Sequence, residues 1–225
     1  EQTTSLLVVL IIQYGKGEVP MSLFAIGDPH LSFGCQKPMD IFKGWENHTE
    51  RIAANWKRLV KPDDTVILPG DFSWGLKLEE TKKDFEFLEN LPGKKILLKG
   101  NHDLWWSTSK KLREFLDNNK FNSVDFIFNN CAVCEGYAVA GTRGWFFDDK
   151  PDPKILQREA GRLELSLSAA EKTGLPILTF LHYPCVWGDE VCEEIFSVIK
   201  RHGINQVYHG HIHGAGACKV KTEYG

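Results

Sequence analysis

One pattern of apolar and polar positions occurs three times in the first half of the chain. A short apolar run is followed by a polar loop and then by a segment with apolar residues at helical spacing. Runs of this length predict strands, and the amphipathic segments predict helices. The predicted strands are 23–26, 65–68 and 95–99, and the predicted helices are 46–60, 78–91 and 108–118. This alternation indicates an α/β sheet with its site beyond the carboxyl ends of the strands.

The second half of the chain is less regular but contains the same two kinds of segment. Its predicted strands are 124–128, 132–133, 137–140, 176–181 and 205–208, and its predicted helices are 152–172 and 190–200. The sequence shows no internal repeat and no linker. At 225 residues and 42% hydrophobic, the chain can bury one substantial core. We therefore predict a single domain over residues 21–225.

Residues 1–20 do not continue this pattern. Their apolar run, from Leu6 to Ile12, is far shorter than the ~20 residues that span a bilayer. Glu1 stands where a signal peptide would carry basic residues. Met21 resembles a natural start, so we predict that residues 1–20 are a non-native extension or a damaged leader. With no membrane segment recognised, we expect a cytoplasmic location.

Composition and charge argue against a broad nucleic-acid surface and against structural disulfides. A net charge of -3 and a pI near 6.3 argue against a broad basic surface for nucleic acid. The six cysteines follow no repeating spacing, and a chain of this length does not depend on disulfides. We therefore predict reduced cysteines, as expected in the cytoplasm.

Residues that can bind metal follow five of the predicted strands. They are Asp28 and His30, then Asp71, then Asn101 with His102 and Asp103, then His182, and finally His211 and His213. In Asp28-x-His30 and His211-x-His213, alternate side chains of an extended backbone lie on one side, where they could share one ion or serve two neighbouring ions. Such mixed nitrogen and oxygen ligands suit Mn, Fe, Zn, Co or Ni better than Mg or Ca. Their recurrence at five strand ends predicts a metal site.

Aromatic and basic residues follow the same loops. The tryptophans after strand-end loops are Trp74, Trp105, Trp106, Trp145 and Trp187. They predict an aromatic rim in which Trp74 and Trp105 contact a ring of the substrate; the alternative is that they pack the loops against the core. Arg143 lies between two glycines, Gly141 and Gly144, and could clamp a phosphate or form a surface ion pair.

The strand-end segments resemble, in their order along the chain, the signature of the calcineurin-like metallophosphoesterases. The segments are Asp28-x-His30, Gly70-Asp71, Gly100-Asn101-His102-Asp103, His182 and Gly210-His211-x-His213. The likeness is to bacterial predicted phosphohydrolases of the Ser/Thr phosphatase type. It implies a four-layer αββα sandwich, with two mixed sheets flanked by helices. Only twelve residues follow His213, where this family adds further strands, so we predict a domain that lacks its last strands.

The resemblance also implies a role for each matching residue. One divalent transition metal would be held by Asp28, His30, Asp71 and His213, and a second by Asp71, Asn101, His182 and His211. Asp71 would bridge the two because a carboxylate has two oxygens. A hydroxide bridging the metals would attack phosphorus, with His102 as general acid and Asp103 fixing its tautomer.

The leading hypothesis is therefore a metal-dependent hydrolase of phosphate esters. The alternatives are a phosphodiesterase or nuclease with the same metals, and a non-catalytic binding module that kept the fold. A hydrolase of phosphate monoesters and a phosphodiesterase would differ only in the residues around the cleft. The intact ligand set argues against a non-catalytic binding module. The sequence leaves the substrate, the metals and the oligomeric state open.

Overall fold

The computed structural model describes residues 12–14, 21–145 and 152–213, with backbone only at 12–14 and 21. The strands are β1 (Ile12–Tyr14), β2 (Met21–Ala25), β3 (Thr65–Pro69), β4 (Lys94–Leu98), β5 (Val124–Phe126), β6 (Ala132–Cys134), β7 (Tyr137–Thr142), β8 (Ile177–Leu181), β9 (Val186–Trp187), β10 (Glu190–Val191) and β11 (Val207–His209). The helices are α1 (His48–Leu59), α2 (Lys82–Glu89), α3 (Ser109–Asn119), α4 (Pro153–Glu171) and α5 (Glu193–Arg201), and a 3₁₀ turn, Leu78–Thr81, precedes α2.

Two mixed sheets organise these elements. The first has the strand order β1-β2-β3-β4-β5, with β2 to β5 parallel and β1 antiparallel to β2. The second has the order β11-β8-β7-β6, with only β6 antiparallel. The helices between parallel strands return the chain to the same edge, so the strand-end loops of each sheet collect on one side.

The apolar side chains divide into three clusters that define four layers. Alternate residues of the first sheet, such as Leu23 and Ile67, pack between the sheets against Val139 and Phe180. The other face of that sheet packs on α1, α2 and α3. The second sheet packs on α4 and α5. The order helix, sheet, sheet, helix confirms the predicted αββα sandwich.

The predicted helix at 190–200 is wrong at its start. Glu190 and Val191 form β10, which pairs with β9 in a short hairpin, and α5 begins only at Glu193. The turn is Gly188-Asp189, and Gly188 takes a positive φ of 59°. The predicted helix at 78–91 is also divided into the 3₁₀ turn and α2.

Part of the segment predicted to lie outside the domain forms a strand. Ile12–Tyr14 pairs with Met21–Leu23 at the edge of the first sheet. The origin of residues 1–20 and the completeness of the domain stay predictions, and residues 214–225 lie outside the described residues.

In the described ranges, none of the helices combines the length and the apolar character needed to cross a bilayer. Five cysteines of those ranges are free thiols, and Cys218 lies outside them. The cytoplasmic location stays a prediction.

Candidate metal centre

The predicted ligands lie together where strand ends of both sheets meet. They form two donor sets, in each of which the candidate ligand atoms lie within 4.8 Å of one another. The first donor set is Asp28, His30 and His213, and the second is Asp71, His182 and His211. In the first set, Nε2 of His30 lies 3.3 Å from Nε2 of His213. Residues from distant strand-end loops therefore converge on one centre.

Asp71 connects the two donor sets through one carboxylate oxygen. Its Oδ2 lies 3.8 Å from Nε2 of His30 and 3.5 Å from Nε2 of His182. Its Oδ1 accepts a hydrogen bond of 2.8 Å from the backbone N–H of His102. Oδ2 therefore faces histidines of both donor sets, and bridging of two ions by Asp71 stays a prediction.

Asn101 adds a neutral oxygen to the second donor set. Its Oδ1 lies 2.6 Å from Nε2 of His182 and 3.0 Å from Nδ1 of His211. Since the side chain lies against two members of that set, it has the position predicted for a fourth ligand.

His182 is oriented by the backbone of the neighbouring sheet. Its ring is buried, and Nδ1 donates to the carbonyl oxygen of Pro69 at 3.0 Å. A histidine that donates from one ring nitrogen presents a lone pair on the other. Nε2 of His182 therefore faces Oδ1 of Asn101 and Oδ2 of Asp71 as a third acceptor. Converging acceptors of this kind suit a cation.

Four of the predicted ligands have left-handed backbone conformations. The φ angles are 56° at Asp28, 47° at His30, 51° at Asp71 and 68° at His211. Such conformations are uncommon outside glycine, although Asp and His adopt them more readily than most residues. The prediction of an extended backbone in the two alternating motifs was therefore wrong. His211 and His213 serve different donor sets.

Two glycines leave the space that this centre needs. A Cβ on Gly70 would lie 2.5 Å from Nδ1 of His182, and one on Gly100 would lie 2.1 Å from Oδ1 of Asp71. Gly70 also has a φ of 98°, which disfavours any other residue. The glycines of both motifs are thus required by close approach of the ligands.

Burial disfavours the charged forms of Asp28, Asp71 and His30. Burial and then the neighbouring Asp71 raise the pKa of Asp28 well above its usual range, and burial followed by Asp103 raises the pKa of Asp71 to about 7. Burial and then His213 lower the pKa of His30 to about 2. A bound cation stabilises carboxylates and neutral imidazoles alike, because metal ligands bind in their deprotonated forms.

His102 lies beside the donor sets and belongs to neither of them. Its ring centroid is 4.3 Å from that of Trp74 and 5.7 Å from that of His30. It is half-buried, so part of the residue is accessible to solvent. This position agrees with a residue that faces the substrate, a role that stays a prediction.

The predicted role of Asp103 needs correction. Its side chain is fully buried, and its carboxylate accepts hydrogen bonds from the backbone N–H groups of Phe72, Ser73 and Gly100 and from the indole N–H of Trp105. With its oxygens used in this way, Asp103 holds the loops that carry Asp71 and Asn101. It does not orient the ring of His102.

The predicted aromatic rim is only partly present. Trp105 is 3% exposed and packs in the core against Phe72 and Phe85, so its predicted contact with substrate was wrong. Trp74 does lie at the centre, where it stacks on His30 at a centroid distance of 4.9 Å. Its contacts with His30 and His102 make it a support for the histidines of the site.

Arg143 forms an ion pair with a helix of the second sheet's layer. Its Nη2 lies 3.1 Å from Oε1 of Glu159, a fully buried carboxylate of α4, and its guanidinium lies over the ring of Trp145. Arg162 bonds the same carboxylate at 2.7 Å. A surface pair was predicted, but the carboxylate of Glu159 is fully buried and the side chain of Arg143 is mostly buried.

Three residues near the centre were missed. Trp45 contacts His30 and His213, with centroid distances of 5.6 Å and 5.5 Å, and Lys37 lies 4.1 Å from the ring centroid of Trp74. His48 is buried beside Trp45. These residues come from or adjoin the irregular segment between β2 and α1, where no periodicity or motif signals a function.

The chemistry of the donors fits a pair of divalent transition metal ions. Each set combines one carboxylate with two imidazoles, a mixture of ligands that suits Mn, Fe, Zn, Co and Ni. The residues present therefore fit the metals that the motifs imply.

Comparison with known proteins gives one curated relative and several solved structures. The uncharacterized protein MJ1445 of Methanocaldococcus jannaschii is 30% identical over 86 residues, which are 36% of this chain and 46% of that protein, so the match spans about half of its length. The protein of unknown function AQ665 from Aquifex aeolicus is 22% identical, with 85% of this chain and 88% of that chain covered and a TM-score of 0.43. Phosphopantetheinyl hydrolase (PptH) from Mycobacterium tuberculosis is 16% identical, with 85% and 82% covered and a TM-score of 0.43.

A family model gives the broader match. The model described as calcineurin-like phosphoesterase matches residues 21–215, a range that contains every strand of both sheets except β1 and every residue of the two donor sets. Together with the αββα architecture, this match settles the family. The chain belongs to the calcineurin-like phosphoesterases.

Proposed function

We propose that this protein hydrolyses phosphate esters at a centre of two divalent metal ions. The observation that carries the proposal is the pair of donor sets joined by Oδ2 of Asp71. Family membership and these sets together support metal-dependent phosphoester hydrolysis. The two-metal arrangement is the finer part of the proposal.

The residues divide between the two ions as the donor sets do. Asp28, His30 and His213 would hold one ion, His182, His211 and Asn101 the other, and Asp71 would contact both. When bound, such a pair lowers the pKa of a water molecule and neutralises the charge of phosphoryl oxygens. Mn, Fe, Zn, Co or Ni would suit the donors.

His102 would donate the proton that the leaving oxygen needs. Burial and then the nearby Lys37 lower the pKa of His102 in the free protein. A bound phosphate anion would act in the opposite direction, because an adjacent negative charge favours the imidazolium. Trp74 supports the ring of His102 and would keep it aimed at the cleft.

The test is an assay of the purified chain with added Mn, together with elemental analysis. We expect two metal ions per chain and faster release of p-nitrophenol from p-nitrophenyl phosphate than from its bis ester. Faster turnover of the bis ester would favour a phosphodiesterase. A metal-loaded protein that turns over neither ester, nor any other phosphoester in a panel, would be a binding module, and the proposal would be wrong.

A further inference from the structure

A polar pocket lies outside the two donor sets. It has a volume of about 140 Å³. A water molecule takes up about 30 Å³ in the liquid, so the pocket has room for a small oxyanion such as a phosphate group. Its polar wall includes three cationic side chains, Lys99, Arg143 and Arg162, and the carboxylate of Glu159.

Within the described residues, the charges of this wall do not balance. Glu159 is fully buried and accepts hydrogen bonds from Arg143, from Arg162 and from the hydroxyl of Thr142. One carboxylate thus serves two guanidinium groups, and Lys99 adds a third positive charge to the pocket. Two positive charges remain in excess.

Arg143 also keeps an unused donor. Its side chain is 16% exposed, and its Nε is buried without a hydrogen-bond partner in the described part of the chain. A guanidinium has five N–H donors in a fixed plane, and carboxylates and phosphates match that geometry. The pocket therefore combines an excess of positive charge with polar groups that can donate hydrogen bonds, which suits an anion.

The pocket and the metal centre share strand ends. Lys99 lies two residues before Asn101 at the end of β4. At the end of β7, the carbonyl of Thr142 accepts the N–H of His182 at 3.3 Å, and the carbonyl of Arg143 accepts the N–H of Tyr183 at 2.8 Å. Since neighbouring residues are about 3.8 Å apart, a molecule of modest length could occupy both sites at once.

We propose that this pocket binds a second oxyanion of the substrate, a phosphate or carboxylate group separate from the phosphoryl group that is hydrolysed. The inference rests on the proposed function and names the substrate class: phosphate esters whose leaving group carries its own negative charge. Trp106 and Phe128 would form the apolar wall beside the linking carbons. The same chemistry would also take free inorganic phosphate, so the test separates these two ligands.

The experiment compares alkanediol bisphosphates of increasing chain length with the monophosphates of the same diols, using the metal-loaded full chain and measuring phosphate release. At the best chain length we expect kcat/KM to be about 10-fold higher for the bisphosphate, the effect of one charge-assisted hydrogen bond. Arg162→Gln should remove most of this preference. Glu159 keeps Arg143 and the hydroxyl of Thr142 as partners in this variant, so the fold has little reason to fail.

The matched control is Arg158→Gln. Arg158 is an exposed residue of the same helix and lies outside the pocket, so the substitution makes the same change of charge. We expect this variant to keep the bisphosphate preference. Equal preference in all three proteins, or equal loss in both variants, would overturn the assignment to the pocket.

The remaining outcomes separate this proposal from the proposed function. Hydrolysis of monophosphates without any bisphosphate preference would overturn the second site and leave the function standing. If the bisphosphate preference is absent, and inorganic phosphate changes the rate of monophosphate hydrolysis in the wild type but not in Arg162→Gln, the pocket binds a free ion and the substrate proposal is wrong. If no ester is hydrolysed, calorimetric titration with pyrophosphate decides: binding that Arg162→Gln weakens supports an anion pocket, and no binding overturns it.

Discussion

At the scale of single residues, Asp71 has the largest number of roles in the centre. One oxygen holds the backbone of His102 and the other faces histidines of both donor sets. A left-handed backbone and the absence of side chains at Gly70 and Gly100 allow this position. The chemistry of the site therefore depends on local strain and close packing as well as on the identity of the ligands.

The first prediction separates ligand from general acid. Asp71→Asn should lose bound metal and turnover together, because an amide gives up the charge that both donor sets share. His102→Ala should keep its metal and lose rate by about 10²–10⁴-fold, as expected for removal of a general acid. Elemental analysis and kcat on p-nitrophenyl phosphate measure the two effects. Equal metal loss in both variants would contradict the role given to His102.

The second prediction concerns Asp103. In Asp103→Asn, an amide NH₂ group replaces one of the two carboxylate oxygens. A buried N–H group that donated to this oxygen, such as that of Gly100, is then left without an acceptor. We expect a loss of about 1–3 kcal/mol in the free energy of unfolding, measured with urea. The exposed Asp117→Asn of α3 is the control and should change stability by less than about 0.5 kcal/mol. An equally stable Asp103→Asn protein would show that these bonds matter little.

At the scale of elements, the contact between α4 and α5 is closed by a group of charged residues. His202, at the end of α5, bonds Glu171 at 2.6 Å and Glu164 at 2.9 Å, both on α4. Arg201 bonds Glu164 at 2.6 Å. Burial acts to lower the pKa of His202, but the two carboxylates outweigh it, and the net shift is upward.

The third prediction gives this contact a pH dependence. A raised pKa means that the folded protein holds the His202 proton more tightly, so this stabilisation is complete below the unfolded value of about 6.5 and is lost as pH rises through the folded value. His202→Gln should cost about 0.5–1 kcal/mol near pH 6 and less near pH 9, since the partner carboxylates are exposed. Urea unfolding at both pH values measures this change.

Arg201→Gln is the matched control for that prediction. It removes a neighbouring bond to Glu164 from a side chain that stays charged throughout this range. Its effect should therefore be the same at both pH values. A His202→Gln effect that did not change with pH would contradict the assignment.

At the scale of the whole molecule, the centre joins the two sheets. Asp28, His30, Asp71 and Asn101 follow strands of the first sheet, whereas His182, His211 and His213 follow strands of the second. Besides the apolar layer between the sheets, bound metal would thus be a second link between them. Because unfolding must release the ions, bound metal would raise the free energy of unfolding of the whole domain.

The fourth prediction follows from this link. Metal that binds only the folded chain at about 100 times its Kd adds about 2.7 kcal/mol to the free energy of unfolding. For a chain of this size we expect Mn to raise Tm by about 5–10 °C, measured by calorimetry, and a chelator to reverse the rise. Asp71→Asn should show little change with Mn. An equal rise in that variant would mean that metal binds elsewhere.

The sequence by itself determined the architecture and the set of candidate ligands. Apolar runs and their spacing encode strands and helices locally, and motifs such as Gly100-Asn101-His102-Asp103 carry their chemistry within a few residues. The α/β class predicted from this periodicity is confirmed, and so are the αββα layers that the family resemblance implied. The donor residues do lie together, and their function as ligands awaits the measurements above.

Only the tertiary structure decided how the side chains are used. It buried Trp105 in the core, set the carboxylate of Asp103 on backbone N–H groups and paired Arg143 with Glu159 of a helix that lies later in the chain. Each of these outcomes depends on which distant segments pack against a residue. A local pattern fixes a residue's chemistry and its element, but the contacts between separate elements arise only when the two sheets and their helices pack together.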